Sequence, residues 1–345
     1  MALSIIWRDV LGMRDVSVED NFFLIGGNSI LLLQVTQAVS ETFSRTLPLY
    51  LYFHYPTIEE FAAVLREETK LPSGSTALPL RASAAMTPPL FLVHDISGDI
   101  TWGFDFVQLL APERAVYAFQ PPGLYDDSLP IDDIQSLAVR YADDLVAVAP
   151  GGTYLLGGYC SGGLIALEMA TALAERDVQV PLVILFDAAP PRRKRTPSSP
   201  TELLYGFFAE EDVPVTLKEF AALDQNDQLE YILDGWKQLK IAPPAVSVDF
   251  VRRHLRIHEA SERAFARYEP KPYAGSVVLF VPGEAAGRND AAGWRERVLG
   301  KLHVQGVPGD HFEMFMRPAV TELARQASGH IAHALRAPSG QFMHH

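Results

Sequence analysis

Residues 157–163 read GGYCSGG, and Cys160 at their centre is the only cysteine among 345 residues. The spacing Gly-x-Cys-x-Gly, on Gly158 and Gly162, is that of a nucleophile lifted on a sharp turn between a strand and a helix. A helix N-terminus at such a turn favours thiolate over thiol. Outside that setting a free cysteine is most often a small buried hydrophobe, so the rest of the chain must supply partners. A nucleophile needs a base, and the base an orienting acid. Asp187, closing PLVILFDAAPP, and His311, in VQGVPGDHFEMF, follow Cys160 in the order nucleophile, acid, histidine. Asp187 also reads as a simple turn-former, and Glu284 in VPGEAAG, after the next strand, is the fallback acid. Acyl transfer further needs two backbone N–H groups for an oxyanion. Ser161, directly after the nucleophile, and Ile96, in the turn of FLVHDISG, are the candidates. Asp95 stands where such loops often carry proline or glycine, which leaves the loop's shape open.

Other chemistries fit less well. No GxGxxG and no GK[ST] marks a nucleotide loop, and no CxxC pattern marks a structural zinc. His254 and His258 are four apart on one helix, but no third ligand is visible, so packed or solvated roles are expected and no metal is assigned. His330, His333, His344 and His345 fall in the terminal helix or tail.

The elements that must position these residues follow from pattern. From residue 89, PLFLVHDI, AVYAFQPP, GTYLLGGY, PLVILFDA and GSVVLFVPG are short apolar runs that alternate with helical stretches such as IQSLAVRYADDLVAVA. That alternation predicts a mostly parallel sheet with helices on both faces, and its sites lie at the carboxyl ends of strands. Cys160, Asp187, His311 and Ile96 all sit at such ends. Residues 192–273 are too long for one crossover and read as helical. Within them Arg252, Arg253, Arg256, Arg263 and Arg267 make one helix basic, as a solvated face or as a phosphate contact.

Residues 1–70 are different: helical periodicity and few strand signals. LSIIWRDVL places Ile5, Ile6, Val10 and Leu11 on one face, and SILLLQVTQAVSETF repeats the pattern. PTIEEFAAVL opens with a capping box of Thr57 and Glu60. With a short helix near Leu49–Tyr52 these make a small four-helix bundle. Between the first two helices DNFFLIGGNSI puts Ser29 at a helix N-terminus behind two glycines. Ser29 reads as an N-cap, or as an attachment point for a phosphate ester that the helix dipole favours. Residues 71–88, rich in Pro, Ser and Ala, read as a flexible linker, 89–338 as the α/β domain and 339–345 as a tail.

Composition narrows the rest. A net charge of −13 argues against nucleic acid, and no apolar run approaches a membrane span. One cysteine excludes an intrachain disulfide and suits a reducing cytoplasm. The opening MALSIIWRDVLGM is no signal peptide and reads as if cut from a longer chain.

DNFFLIGGNSILLLQV, with IWRDVLGM before it and HYPTIEEFAAVL after it, resembles the attachment segment of peptidyl carrier proteins from nonribosomal peptide synthetases. The resemblance implies 4'-phosphopantetheine on Ser29, installed by a phosphopantetheinyl transferase; Asn28 replaces the family's usual His or Asp. FLVHDISG, GGYCSGG, LFDAAPP and VPGDHFEMF, in order, resemble type I thioesterase domains that end nonribosomal peptide and polyketide assembly lines. It implies an α/β-hydrolase domain, a Cys160–His311–Asp187 triad, and a helical lid over about 192–273. It implies as partners the domain's own carrier and upstream condensation and adenylation domains.

Cysteine in place of serine resembles a small group linked to β-lactam or β-lactone products, the sulfazecin type first and the obafluorin type second. A chain ending soon after the thioesterase suits the former. Chemistry agrees: a thioester on Cys160 keeps the activation that an oxygen ester loses, which helps to close a strained four-membered ring. β-Lactone formation, macrocyclisation and plain hydrolysis are the enzymatic alternatives. A docking protein with an inert Cys160 is the alternative from another class.

Overall fold

The computed structural model describes residues 1–27, 29–45, 47, 51–52, 55–66, 75–81, 83, 85–111, 113–124, 128–190, 198–206, 215–238, 247–283 and 290–336. In chain order the elements are α1 (Ala2–Leu11), α2 (Ser29–Phe43), α3 (Ile58–Leu65), β1 (Ala77–Arg81) and β2 (Leu90–Val93). Then come α4 (Phe104–Leu109), β3 (Val116–Phe119), α5 (Ile134–Val148), β4 (Thr153–Tyr159), α6 (Gly162–Ala174) and β5 (Gln179–Phe186). A helical insert follows, α7 (Pro200–Leu204), α8 (Leu217–Phe220), α9 (Gln225–Gln238) and α10 (Val248–Arg267). The chain closes with β6 (Val277–Pro282), α11 (Asp290–Arg295), β7 (Leu302–Val307) and α12 (Ala319–Arg336).

These elements fall into two compact units. One comprises Met1–Leu78, Pro121–Asp132 and Thr196–Ala266; the other Pro79–Gln120, Asp133–Arg195 and Arg267–His345. Residues 77–81, expected inside a flexible linker, form the edge strand β1. Its apolar residues Ala77, Leu78 and Leu80 are buried, which the Pro- and Ser-rich surroundings obscure in the sequence.

In the first unit, α1 turns Leu3, Ile6 and Trp7 inward and leaves Ile5 46% exposed. Residues two apart on a helix are separated by about 200°, so Ile5 and Trp7 cannot share the face, and the indole has more apolar area to bury. Trp7 meets Phe22 edge-on at 5.0 Å, and Tyr52 stacks on Phe61 at 4.0 Å. Leu51 and Tyr52 are helical, while residues 49–50 of the expected short helix lie outside the described residues. The Thr57–Glu60 capping box forms as the spacing predicts: Thr57 Oγ1 accepts from Glu60 N–H at 3.2 Å and Glu60 Oε2 from Thr57 N–H at 3.2 Å. The insert has a core of its own, with Leu204, Phe220, Leu229, Ile232, Val251 and Leu255 buried together.

The second unit is built on a seven-stranded sheet of order β1-β3-β2-β4-β5-β6-β7. The pairings β2–β3, β2–β4, β4–β5, β5–β6 and β6–β7 are all parallel. The order reverses at β2, because the chain steps out to β3 and returns past β2 to β4. Ligand sites of open parallel sheets lie at such a reversal, beyond the carboxyl ends of the strands. β2, β4 and β6 are buried along nearly their whole length, which explains their continuous apolar runs. Beneath the strand ends Phe186 packs against Phe106, Phe315, Trp102 and Phe280 at centroid distances of 5.1, 5.4, 5.8 and 5.9 Å.

The capping box yields a test of this local reading. Thr57→Ala removes one capping acceptor, at a cost of about 1 kcal/mol. Amide hydrogen exchange across Ile58–Leu65 should then accelerate about fivefold in the full chain, with the β-strands unaffected.

Candidate active site

Cys160 follows the last residue of β4 and precedes α6 by one residue. Its φ is +54°, in the left-handed region that β-carbon-bearing residues avoid. Three contacts hold it there. Its N–H donates to the Phe186 carbonyl at 2.9 Å, so the β4–β5 pairing reaches one residue past the strand. A β-carbon at Gly158 would lie 2.2 Å from the Gly162 carbonyl oxygen, and one at Gly162 would lie 2.2 Å from that of His94. Only glycine lets the strand, the turn and the end of β2 approach this closely.

Asp187 stands one strand over, directly after β5, and it too has a left-handed backbone, φ +42°. Its N–H donates to the Phe280 carbonyl of β6 at 2.8 Å. His311 comes from the loop after β7, where Asp310 accepts from the N–H groups of Phe312 and Glu313 at 2.8 Å each. The structure brings the two together, with His311 Nδ1 2.5 Å from Asp187 Oδ2. The imidazole also hydrogen-bonds Cys160. These bonds, Asp187 first and Cys160 second, hold the His311 pKa up at about 10 against a burial that lowers it. His311 is thus an imidazolium at neutral pH, with a carboxylate on one side and sulfur on the other. The fallback acid Glu284 lies outside the described residues.

The candidate oxyanion donors flank this turn. Ser161 directly follows Cys160 and leads into α6. Ile96 lies in the loop after β2, whose stem carbonyls at Val93 and His94 pack on Gly162. Among the described residues neither the Ser161 nor the Ile96 N–H has an acceptor.

Tyr159 is a residue that sequence reasoning missed. Its hydroxyl donates to the His311 carbonyl at 2.9 Å, and its ring stacks on the imidazole at 4.7 Å and 29°. No local pattern signals a contact that spans 152 residues. The basic helix α10 spends charge locally: Arg252 pairs with Asp249, and Arg263 lies 3.2 Å from Asp132. His254 Nδ1 is 3.0 Å from the Phe250 carbonyl, and His258 is buried with its pKa lowered to about 4. Among the described residues no group of three His, Cys, Asp or Glu is placed to hold a metal ion, and no helix is long and apolar enough to cross a membrane.

Ser29 is the first residue of the 15-residue helix α2. The chain enters through Gly26, φ +107°, and through Gly27, where a β-carbon would lie 2.4 Å from the Phe22 ring. A hydroxyl residue at the head of a long helix, on a loop pressed flat against an aromatic ring, suits a phosphodiester. The dipole at the head of such a helix favours the anion.

Comparison with known proteins agrees with this geometry. Residues 88–330 match the family model described as thioesterase domain, and residues 2–65 that described as phosphopantetheine attachment site. The chain belongs to the thioesterase domain family and carries a phosphopantetheine-attachment module ahead of it. A serine of that module takes 4'-phosphopantetheine covalently. The chain is 27% identical over 343 residues to chondramide synthase cmdD of Chondromyces crocatus, covering 93% of this chain and 9% of that protein. It is 33% identical over 315 residues to malpinin synthetase of Mortierella alpina, covering 89% and 4%. It therefore spans less than a tenth of either relative. Holo-AB3403, a four-domain nonribosomal peptide synthetase, shares its fold at a TM-score of 0.70 with 24% identity, over 95% of this chain and 26% of that one.

The site's electrostatics are open to direct measurement. The His311 imidazole should titrate near pH 10 by NMR, and Asp187→Asn should bring it back towards 6.5. The same substitution should slow acylation of Cys160 by about 10²–10⁴-fold while the protein stays folded.

Proposed function

We propose that this chain releases a peptidyl group from its own carrier through an acyl-enzyme on Cys160, and that release is by closure of a strained four-membered lactam. The observation that supports the reading best is the hydrogen-bonded series Asp187, His311, Cys160, with its nucleophile on a left-handed turn. Ser29 is the attachment residue of the carrier. When bound there, phosphopantetheine supplies a thiol that presents the peptide as a thioester.

The chain's own residues then divide the work. Cys160 Sγ attacks the thioester carbonyl, and the N–H groups of Ile96 and Ser161 take the oxyanion charge. The new C–S bond forms as the old one breaks, and His311 gives its proton to the departing sulfur. Asp187 holds the imidazole in the orientation that this transfer needs. In the second half an internal N–H attacks the Cys160 thioester. Its proton passes to His311 as the C–S bond to Cys160 breaks and the sulfur leaves, which restores the starting state. Sulfur matters in this half. A thioester is the better electrophile for a weak internal nucleophile, and a pocket that folds that nucleophile onto the carbonyl supplies effective molarity. α7 to α10 serve as the lid that excludes water. Condensation and adenylation domains of the same synthetase build the peptide, a phosphopantetheinyl transferase modifies Ser29, and the work is done in the cytoplasm.

Two measurements test the reading. Incubated with coenzyme A and a phosphopantetheinyl transferase, the chain should gain the mass of one arm, and Ser29→Ala should gain none; a modified Ser29→Ala would reassign the carrier serine. With a carrier-loaded peptide, Cys160→Ser should stall as an oxygen ester or shift product from ring to free acid. An unchanged product ratio at a lower rate would remove the strained ring, lactam or lactone, and leave macrocyclisation or hydrolysis. No adduct at residue 160 in the parent protein would favour a docking role.

A further inference from the structure

The loop from β2 to the short turn at Thr101–Gly103 is stitched together by one side chain. Asp95 Oδ1 accepts three hydrogen bonds from its own loop, from Ser97 N–H at 2.8 Å, Ser97 Oγ at 2.7 Å and Asp99 N–H at 3.2 Å. The backbone closes the same turn, with Asp95 N–H on the Asp99 carbonyl at 3.0 Å and Gly98 N–H on the Asp95 carbonyl at 3.2 Å. The stem is fixed as well. His94 Nδ1 is 2.6 Å from the Asp95 carbonyl oxygen and its Nε2 is 2.8 Å from Tyr141 Oη. Burial lowers the His94 pKa to about 4, so the imidazole is neutral; Nδ1–H donates and Nε2 accepts from the tyrosine. Inside this closed turn the Ile96 N–H is left without an acceptor among the described residues. The stem lies against the nucleophile's turn, since a β-carbon at Gly162 would fall 2.7 Å from the Val93 carbonyl oxygen.

We propose that Asp95 is a positioning residue for acyl transfer, whose carboxyl holds residues 95–99 in the turn that presents the Ile96 N–H to the oxyanion formed on Cys160. The inference rests on the acyl-enzyme reading of Cys160. It also explains how the chain dispenses with the proline or glycine expected at this position. Rigidity comes from an acceptor at the centre of the turn in place of a backbone constraint.

A charged group in this place works against the anion it helps to bind. Burial first, and then neighbouring Asp99, push the Asp95 carboxyl up to about 7. Tyr159 of β4 faces the same region; its phenol is pushed up by burial first, with Cys160, Asp95, Asp187 and Asp310 adding to the effect. His94 adds no charge. The neutral acid keeps Oδ1 as an acceptor and places no negative charge near the oxyanion. Deprotonation keeps the brace but adds that charge, so acyl transfer falls as pH rises through about 7.

The test uses the full chain and N-acetyl-alanyl-alanyl N-acetylcysteamine thioester as the acyl donor, with Cys160 acylation followed by intact mass. The parent protein should lose rate across about pH 6–8, and Asp95→Asn, an isostere of the neutral acid, should be flat over that window. Asp95→Ala should acylate roughly ten- to a hundredfold more slowly, on the scale of an oxyanion donor set loose. A second readout needs no turnover: amide exchange at residues 96–99 should accelerate in Asp95→Ala and stay slow in Asp95→Asn. Parent-like exchange and acylation in Asp95→Ala, or an intact pH limb in Asp95→Asn, would overturn the proposal. If the parent itself is never acylated at Cys160, the acyl-enzyme reading fails, and the exchange data still decide whether Asp95 holds the turn.

Discussion

The site depends on one backbone hydrogen bond, from Cys160 N–H to the Phe186 carbonyl. It extends the β4–β5 ladder one residue beyond the strand and fixes residue 160 at φ +54°, a conformation that costs about 1–3 kcal/mol for a residue with a β-carbon. That strain persists because the surroundings over-determine it. Both strands are buried over their carboxyl-terminal halves, and the glycines at 158 and 162 bring the turn within contact of β2. The thiol is thereby held clear of the sheet edge and at the head of α6, where a side chain on a relaxed turn would not be held.

The same device recurs one strand over. Asp187 N–H donates to the Phe280 carbonyl, and Asp187 is also left-handed, at φ +42°. Two adjacent ladders, β4–β5 and β5–β6, each run one residue past their strands and deliver one candidate site residue apiece. Phe186, the last residue of β5, ties them together. It supplies the carbonyl for Cys160, precedes Asp187, and anchors the aromatic layer beneath both. His311 is the element that must reach, from a loop beyond β7, and Tyr159 receives it with a stacked ring and a hydroxyl on its carbonyl. The residue beside Cys160 therefore positions His311.

Electrostatics follow from this placement. An imidazole between a carboxylate and sulfur is held as imidazolium far above its ordinary range. Such a pair suits a reaction in which both the nucleophile and the leaving group are sulfur, because no alkoxide need be generated at any step. The carrier module contributes at a different level. Its glycine loop and helix head suit a phosphodiester.

Short-range spacing made much of this legible. Gly-x-Cys-x-Gly after an apolar run encodes its own turn, the Thr57–Glu60 box its own cap, and the order of Cys160, Asp187 and His311 the three strand ends that the sheet brings together. The pattern of alternating strands and helices was enough for a parallel sheet. Each of these signals is confined to a few neighbouring residues or to a repeat along one element. Other features depend on groups distant in sequence, and only the tertiary structure decided them. Residues 77–81 look like linker until they pair at the sheet edge, since nothing local says that an edge is waiting. Ile5 yields the inner face of α1 to Trp7 because Phe22 is there to receive the indole. The insert packs on its own core and falls in the unit that contains residues 1–78. Tyr159 meets His311 across 152 residues, and Asp95 finds its donors only once the loop has folded around it. Sequence spacing determines which chemistry the chain carries; the packing of distant side chains decides which neighbours aim it.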